Sequence, residues 1–424
     1  MKVFKFGGAS INSIERIQQL PGIIARNADG QLIIIISAMG KITNALEKVV
    51  EAYCASRKEE SLLLFEKVKK YHLTQIKYLI TQEWEKATES LNNIFTETES
   101  ILDTAPSQEY DYDYYYDQIV STGELLSSTL ISYFLAENNI DNRLADVRRI
   151  IQTNGHYRDA KVNWDITSKR ADEIIGPLFT ETNTIVTQGF IGGTSNNTTT
   201  TLGREGSDYT AAIFANILDA ESVTIWKDVN GVMSGDPKDF KDAETISQLS
   251  YKEVIEMAYY GAQVIHPKTI KPLQNKLIPL LVKSFLDDDL GGTVITNTNG
   301  KDLPPVKVIK NNQALFTFQS LDYSFVEGKP VNYLHELLES LHIKPNLSQN
   351  TAISLLISMD DEDNKADQLA EEATSMFDVS IVRNLQLITI RHYTREEVDK
   401  LCGNKIILLE QKTQHTIQIL VKEE

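Results

Sequence analysis

The stretch Val3-Phe4-Lys5-Phe6-Gly7-Gly8-Ala9-Ser10 and the run Leu32-Ile33-Ile34-Ile35-Ile36-Ser37 decide the fold class. Val3 to Phe6 is β-prone, and Gly7-Gly8 break it because glycine supplies turn conformations that side chains resist. Ile11 to Ile24 carries apolar residues at roughly helical spacing, which predicts a helix after the turn. Leu32 to Ser37 is apolar without alternation, the pattern of a strand covered on both faces in a parallel sheet. Strand, glycine turn, helix and buried strand together form the βαβ unit of an α/β protein.

Outward from this unit, Ala45 to Asn93 reads as helical, and another helix is expected from Gly123 to Asn138. Asp111-Tyr112-Asp113-Tyr114-Tyr115-Tyr116-Asp117 is a biased patch, read as a surface or helix-contact segment. Strand-like runs at Thr184–Thr187 and Val223–Trp226 flank a glycine-rich region, and the alternation predicts an α/β sandwich over residues 1–295. Polar turn residues ending in Pro304-Pro305 mark a boundary. Beyond it, residues 306–424 read as strand Ala314–Gln319, helix Val331–Leu341, strand Ala352–Ser358, helix Lys365–Met376 and strand Val379–Val382. Leu385–Arg391, helix Arg395–Cys402 and strands near Ile406–Leu409 and Thr416–Val421 follow. Two small α+β modules are expected here, the second shortened, a design suited to a regulatory metabolite.

At 424 residues the chain exceeds one ordinary core. A net charge of −17 argues against a nucleic-acid partner, whose phosphates need a basic surface. A nucleotide remains admissible, since a few backbone amides and lysines hold one locally. Cys54 and Cys402 are too few for a disulfide framework and point to a reducing compartment. The longest purely aliphatic run, Leu32 to Ile36, is far below membrane-spanning length, and the residues after Met1 contain no secretory h-region. A cytoplasmic protein without a membrane partner is expected.

The chemistry gathers at glycine-rich strand ends. Lys5 precedes Gly7, Gly8 and Ser10, a turn whose backbone N–H groups can approach phosphate oxygens; no Gly-Lys-Ser/Thr follows, so it is not a Walker loop. Ser37-Ala38-Met39-Gly40-Lys41-Ile42-Thr43 ends the second apolar strand, where ligands bind in open α/β sheets. In Ser121-Thr122-Gly123-Glu124 the glutamate fits a helix first turn, as a cap or as a ligand group. Gln188-Gly189-Phe190-Ile191-Gly192-Gly193 and then Gly203-Arg204-Glu205-Gly206-Ser207-Asp208 carry more glycine and charge than a turn needs. Arg204 offers a planar fork for a carboxylate. Asp208 could position Lys5 or a metal-bound water. Trp226-Lys227-Asp228-Val229-Asn230-Gly231-Val232-Met233-Ser234-Gly235-Asp236-Pro237-Lys238 suits a nucleotide, with a surface hairpin as the alternative. His266, in Gly261-Ala262-Gln263-Val264-Ile265-His266-Pro267-Lys268, reads as structural, because no nucleophile or metal spacing surrounds it.

In order, Lys5–Gly8, Ser37–Gly40, Ser121–Glu124, Gly203–Asp208, Lys227–Gly231 and Val264–Pro267 resemble the aspartokinases of the amino acid kinase family, and residues 306–424 resemble their paired ACT modules. The resemblance implies an ATP-dependent phosphotransferase that takes the γ-phosphoryl group to the side-chain carboxylate of L-aspartate, giving 4-phospho-L-aspartate. That product leads toward lysine, threonine, methionine and isoleucine. It implies Mg2+ bound with ATP rather than by the protein directly, and homo-oligomers formed through the ACT-like modules. It assigns Lys5 and Asp208 to catalysis, and Ser37, Thr43, Glu124, Arg204 and Ser207 to aspartate. Lys5, Gly7, Gly8, Ser10, Lys227, Asp228, Met233, Lys238, Gln263 and Val264 go to ATP. With the last residue at Glu424, a monofunctional enzyme without a homoserine dehydrogenase is expected. The family usually has lysine at the position of Gln263, arginine at Lys238, and threonine or serine at Lys227; Lys227 or Lys268 is expected to supply the charge absent at 263. Rival readings are another small-molecule carboxylate kinase of the same fold and a non-catalytic amino-acid sensor.

Overall fold

The computed structural model describes residues 1–262, 265–298, 300, 302–362 and 364–423. They form two compact units: Met1–Val232, Thr245–Ile255 and Ile265–Gly300 make the first, and Met233–Glu244, Glu256–Val264 and Lys301–Glu424 the second.

In the first unit the strands are β1 (Lys2–Phe6), β2 (Leu32–Ile36), β3 (Arg143–Ala145), β4 (Thr184–Gln188), β5 (Ile191–Gly193), β6 (Thr199–Thr201), β7 (Ser222–Lys227), β8 (Gln248–Ser250), β9 (Leu280–Ser284) and β10 (Thr293–Thr296). Eight of them form a sheet in the order β3-β4-β2-β1-β7-β9-β10-β8, while β5 and β6 make a separate hairpin. Pairing is parallel from β3 through β9; β10 runs antiparallel to β9 and parallel to β8. The buried strand read from Leu32–Ile36 lies between β1 and β4 with all five residues buried. Phe4, Phe6, Ile34, Ile36, Leu126, Leu130 and Trp226 belong to one core cluster.

The helices are α1 (Ile14–Ile17), α2 (Leu20–Asn27), α3 (Ile42–Cys54), α4 (Lys58–Leu79), α5 (Trp84–Leu102), α6 (Tyr112–Val120), α7 (Thr122–Glu137), α8 (Trp164–Glu181), α9 (Gly206–Ile217), α10 (Tyr251–Tyr259) and α11 (Pro267–Lys276). The helix expected over Ile11–Ile24 is instead a 3₁₀ turn (Gly8–Ile11), α1 and α2. Ser13 restarts the chain by accepting from the Arg16 N–H, and Pro21 in the first turn of α2 has no N–H to continue a helix from α1. The tyrosine-rich patch is itself helix α6, capped by Asp111, which accepts from the Tyr114 N–H. Together α6 and α7 span Tyr112–Glu137, long and apolar enough to cross a membrane, yet 83% of the apolar window is buried inside the protein. It is a core element, packed on β2 and β4 through α7.

The second unit holds β11 (Val306–Ser320), α12 (Lys329–Ser340), β12 (Leu347–Asn350), β13 (Ser354–Asp360), α13 (Lys365–Ala373), β14 (Phe377–Arg391), α14 (Arg395–Cys402), β15 (Ile406–Lys412) and β16 (Thr416–Lys422). All six strands join one antiparallel sheet, β12-β13-β11-β14-β16-β15. The first module is thus βαββαβ, the ferredoxin-like pattern, with Phe316, Phe318, Leu334, Leu369 and Phe377 in its core. The strands expected at Val379–Val382 and Leu385–Arg391 are one strand, β14, with a register break against β11 near Gln313. The second module is completed by Val306–Lys310, the first part of β11, which pairs with Leu387–Arg391. Its apparent shortness in sequence reflects a strand supplied from before the first module.

Candidate active site

The C-terminal ends of β1, β2 and β7 converge on a cavity of about 510 Å³, the position at which open parallel sheets receive ligands. β1 contributes Lys5, the end of β2 contributes Ser37, and β7 contributes Lys227; Thr43 comes from the first turn of α3, Glu124 from α7, and Ser207 and Asp208 from α9. Gly203, Arg204 and Glu205 arrive on the turn between β6 and α9. The glycine turn after β1 fits only without a side chain: a Cβ on Gly8 would lie 2.7 Å from the Ala38 carbonyl oxygen. That approach lets the Gly40 N–H donate to the Gly8 carbonyl at 3.0 Å, closing the two strand ends together.

Lys5 Nζ meets Asp208 Oδ1 at 2.6 Å with both side chains largely withdrawn from solvent. Burial alone would raise the Asp208 pKa, but the charges of Lys5 and Lys227 outweigh it and hold the carboxyl below its ordinary value. Glu124, 3% exposed, accepts from the Ala38 N–H through Oε1 at 3.2 Å, while Oε2 is buried without a hydrogen-bond partner among the described residues. Burial pushes its pKa up to about 8, against smaller opposing effects of the Ala38 N–H, its own backbone and Lys5. Arg204 is exposed at the rim, and among the described residues its guanidinium has no ion-pair partner.

Of the residues singled out in the sequence, Lys5, Gly8, Ser37, Thr43, Glu124, Arg204, Ser207, Asp208 and Lys227 line this cavity. Gly7 lies beside it, the position of its absent Cβ being 3.2 Å from Lys5 Nζ. Ser10 departs from the expectation that its donors face phosphate. Its hydroxyl donates to the Trp226 carbonyl at 2.9 Å and its N–H to the Gly7 carbonyl at 2.9 Å, because the turn tightens into a 3₁₀ helix against β7. Asp228 is exposed just past β7 and is not part of the lining. Met233 and Lys238 belong to the second unit, and Gln263 and Val264 lie outside the described residues. Lys268 is engaged by Asp159 and the Leu202 carbonyl, whereas Lys227 lines the cavity together with Lys5, Arg158 and Arg204. His266 caps α11 by accepting from the Lys268 N–H, and its own backbone N–H donates to Glu205.

Tyr116, Arg158, Phe190, Thr201 and Glu205 also line the cavity; Phe190 and Glu205 stand in segments already singled out, whereas Tyr116 and Arg158 had been given no part in a site. Asp117 assembles this wall: fully buried, it accepts from the Arg158 N–H, the Thr201 N–H and the Thr201 hydroxyl. Burial raises its pKa to about 6, with those donors opposing. The Arg158 guanidinium stacks 4.5 Å over the Tyr116 ring and pairs with Asp113 at 3.2 Å. An aspartate and tyrosine in a biased run gave no cue that they would clamp a loop some 40 residues away; the Tyr112/Tyr116 spacing of four was the available signal.

Residues 1–284 match the amino acid kinase family. Over 414 residues the chain is 30% identical to lysine-sensitive aspartokinase 3 of Escherichia coli (strain K12), covering 95% of this chain and 88% of that protein. The crystal structure of E. coli aspartokinase III in complex with lysine and aspartate, in the T-state, matches with a TM-score of 0.82 at 26% identity, over 99% of this chain and 96% of the other. The R-state structure of the same enzyme with aspartate and ADP matches with a TM-score of 0.79 at 27% identity, with the same coverage. The chain belongs to the amino acid kinase family and, within it, to the aspartokinases.

Proposed function

We propose that this chain transfers the γ-phosphoryl group of ATP to the side-chain carboxylate of L-aspartate, giving 4-phospho-L-aspartate and ADP. A carboxylate oxygen attacks the γ-phosphorus as the bond to the β,γ-bridging oxygen breaks. The acceptor is already ionised near neutral pH, so no general base is required and positioning and charge neutralisation carry the rate. The observation that carries this reading is the combination in one cavity of the buried Lys5–Asp208 pair with Glu124 Oε2, a buried acceptor without a donor among the described residues. Such an acceptor suits the ammonium of an amino acid, and the open Arg204 fork suits its α-carboxylate.

In this reading Lys5 neutralises the phosphoryl group in flight, Asp208 orients Lys5, and Ser37, Thr43 and Ser207 line the aspartate subsite. Gly7 and Gly8 let the backbone approach phosphate. Lys227 and Asp228 serve ATP, with Lys227 supplying the charge that the family carries at position 263. Among the described residues no group of three or more His, Cys, Asp or Glu side chains is placed to hold a metal. A Mg2+ ion would be carried on the nucleotide phosphates, with Asp208, the carboxylate beside Lys5, facing its shell. When bound, the ion offsets triphosphate charge. The β11–β16 sheet is assigned as a paired ACT-like regulatory region through which copies associate, in a cytoplasmic enzyme of lysine, threonine and methionine biosynthesis. Cys54 and Cys402, both unpaired, support that address.

Incubation with ATP, Mg2+, L-aspartate and hydroxylamine tests the reaction. Hydroxamate should form only when all are present and should fall sharply for Arg204→Ala at low aspartate. No hydroxamate, or faster product with L-glutamate, would overturn it.

A further inference from the structure

Beyond β3 and β4, at the same end of the sheet as the catalytic cavity, lies a second cavity of about 470 Å³. Apart from Gly193, every residue lining it has a polar side chain, so it offers nothing to an apolar ligand. Three guanidiniums, Arg148, Arg149 and Arg170, face two carboxylates, Glu97 and Asp146, a local balance of 3 − 2 = +1 in a chain of net charge −17. Asp146 holds Arg148 in a fork, Nε to Oδ1 at 3.0 Å and Nη2 to Oδ2 at 2.7 Å. Arg149 has no partner among the described residues, and Arg170 has a loose one, Glu173 at 3.7 Å. The facing wall is the hydroxyl-rich loop joining β5 to β6, including Thr194, Ser195 and Thr198.

The walls are preformed. Gly193 donates its N–H to the Ile151 carbonyl and accepts from the Thr153 N–H, both at 2.9 Å. A Cβ on Gly193 would lie 2.3 Å from the Arg148 carbonyl oxygen, so the hairpin rests directly on the turn that carries Arg148 and Arg149. We propose that this cavity is a binding site for a small phosphorylated anion, separate from the catalytic cavity. Two guanidiniums free to turn toward a ligand, a third held in place and adjacent hydroxyl donors suit a multiply charged phosphate better than a single carboxylate. The volume accommodates a small metabolite.

Calorimetric titration of the full chain with inorganic pyrophosphate separates the two cavities. Wild type should bind in two classes. Arg149→Ala/Arg170→Ala should weaken one class at least about tenfold, the scale of charged hydrogen bonds lost, and keep the other. Lys5→Ala should do the reverse. Both arginines are exposed and outside the catalytic cavity, so the double variant should keep its kcat and aspartate KM without pyrophosphate, which also reports that it folds. Unchanged pyrophosphate binding in the double variant, or loss of all binding in Lys5→Ala, would overturn the proposal. Citrate binding more tightly than pyrophosphate would reassign the cavity to polycarboxylates and overturn the phosphate assignment.

Discussion

In the first unit, Lys5 and Asp208 meet at 2.6 Å with side chains 11% and 4% exposed. In the second, Asp242 takes Lys307 at 3.2 Å and Lys400 at 2.9 Å with half of its own side chain in solvent. Both carboxyls are held below the ordinary value, but for different reasons. Asp242 reaches about 2 mainly through hydrogen bonds from Lys400 and Lys307 with little burial to oppose them. Asp208 must first overcome burial, and does so through the Lys5 and Lys227 charges. A charge taken out of water depends strongly on its partner, whereas water and salt substitute readily for a partner at the surface. In this comparison the two carboxylates thus differ in their own exposure, whereas Lys307, 6% exposed, is as withdrawn from water as Lys5.

The largest effect expected from breaking it is at Lys5. Lys5→Met should lower kcat by ~10²-fold or more, the scale of removing one charge-stabilising group, and should lower Tm by leaving Asp208 buried beside Lys227 alone. Adding Asp208→Asn should recover Tm but not kcat. Recovery of turnover in the double variant would move the chemistry away from Lys5.

Glu124 sharpens the contrast, being a buried carboxyl with no ion-pair partner among the described residues. Its pKa of about 8 lies above the ordinary 4.5, so the folded protein binds more protons than the unfolded chain between those values. Its contribution to stability therefore falls as pH rises through that window. Glu124→Gln should flatten the decline of Tm between about pH 5 and 8, and raise the aspartate KM about tenfold or more through loss of a charged hydrogen bond. In wild type the aspartate KM should fall as pH rises toward 8, because the substrate ammonium favours ionised Glu124. A KM independent of both pH and the substitution would remove Glu124 from the substrate site.

A smaller change is expected at half-exposed Asp242, because buried Lys307 keeps Glu397 at 3.6 Å as a second acid. Asp242→Asn should lower Tm slightly at low salt, with the difference vanishing at high ionic strength. Because its pKa is depressed, the wild-type contribution is present above the ordinary carboxylate range and lost as pH falls toward about 2. A large, salt-independent loss would mean that Asp242 behaves as a buried charge.

The smallest expected effect is that of free L-lysine. The stretch His342-Ile343-Lys344-Pro345-Asn346-Leu347-Ser348-Gln349-Asn350-Thr351 contains no acid. Lys344 lies 5.2 Å over the Tyr259 ring, and Lys310 donates to Asn346 at 2.7 Å, so cations already occupy this face of the second unit. Desolvating a cationic ligand without a paired carboxylate is unfavourable, and inhibition should be weak or absent. Calorimetric titration beside activity at saturating ATP decides it: micromolar binding coupled to inhibition would refute the expectation.

Much of the site was legible because its parts sit where local rules speak loudly. Lys5, Ser37 and Lys227 end strands, Arg204 and Asp208 follow glycines, and Glu124 lies near a helix start. Those positions are readable from turn chemistry and strand length alone. Helix α1 to α2 was misread as one segment because apolar spacing outlasts the breaks imposed by Ser13 and Pro21.

By itself, then, the sequence determined the α/β class, the small α+β character of the C-terminal region, and the glycine-rich strand ends that line the cavity, because periodicity and glycine punctuation act over a few residues. Tertiary structure alone decided that Asp117 would clamp Arg158 and Thr201 into the cavity wall, and that Ser10 would turn its hydroxyl to Trp226. It likewise decided that Val306–Lys310 would complete the second module by pairing with Leu387–Arg391. Each of these joins residues tens to hundreds of positions apart, through hydrogen bonds that any suitably placed donor could satisfy. Only the packed chain selects which donor arrives.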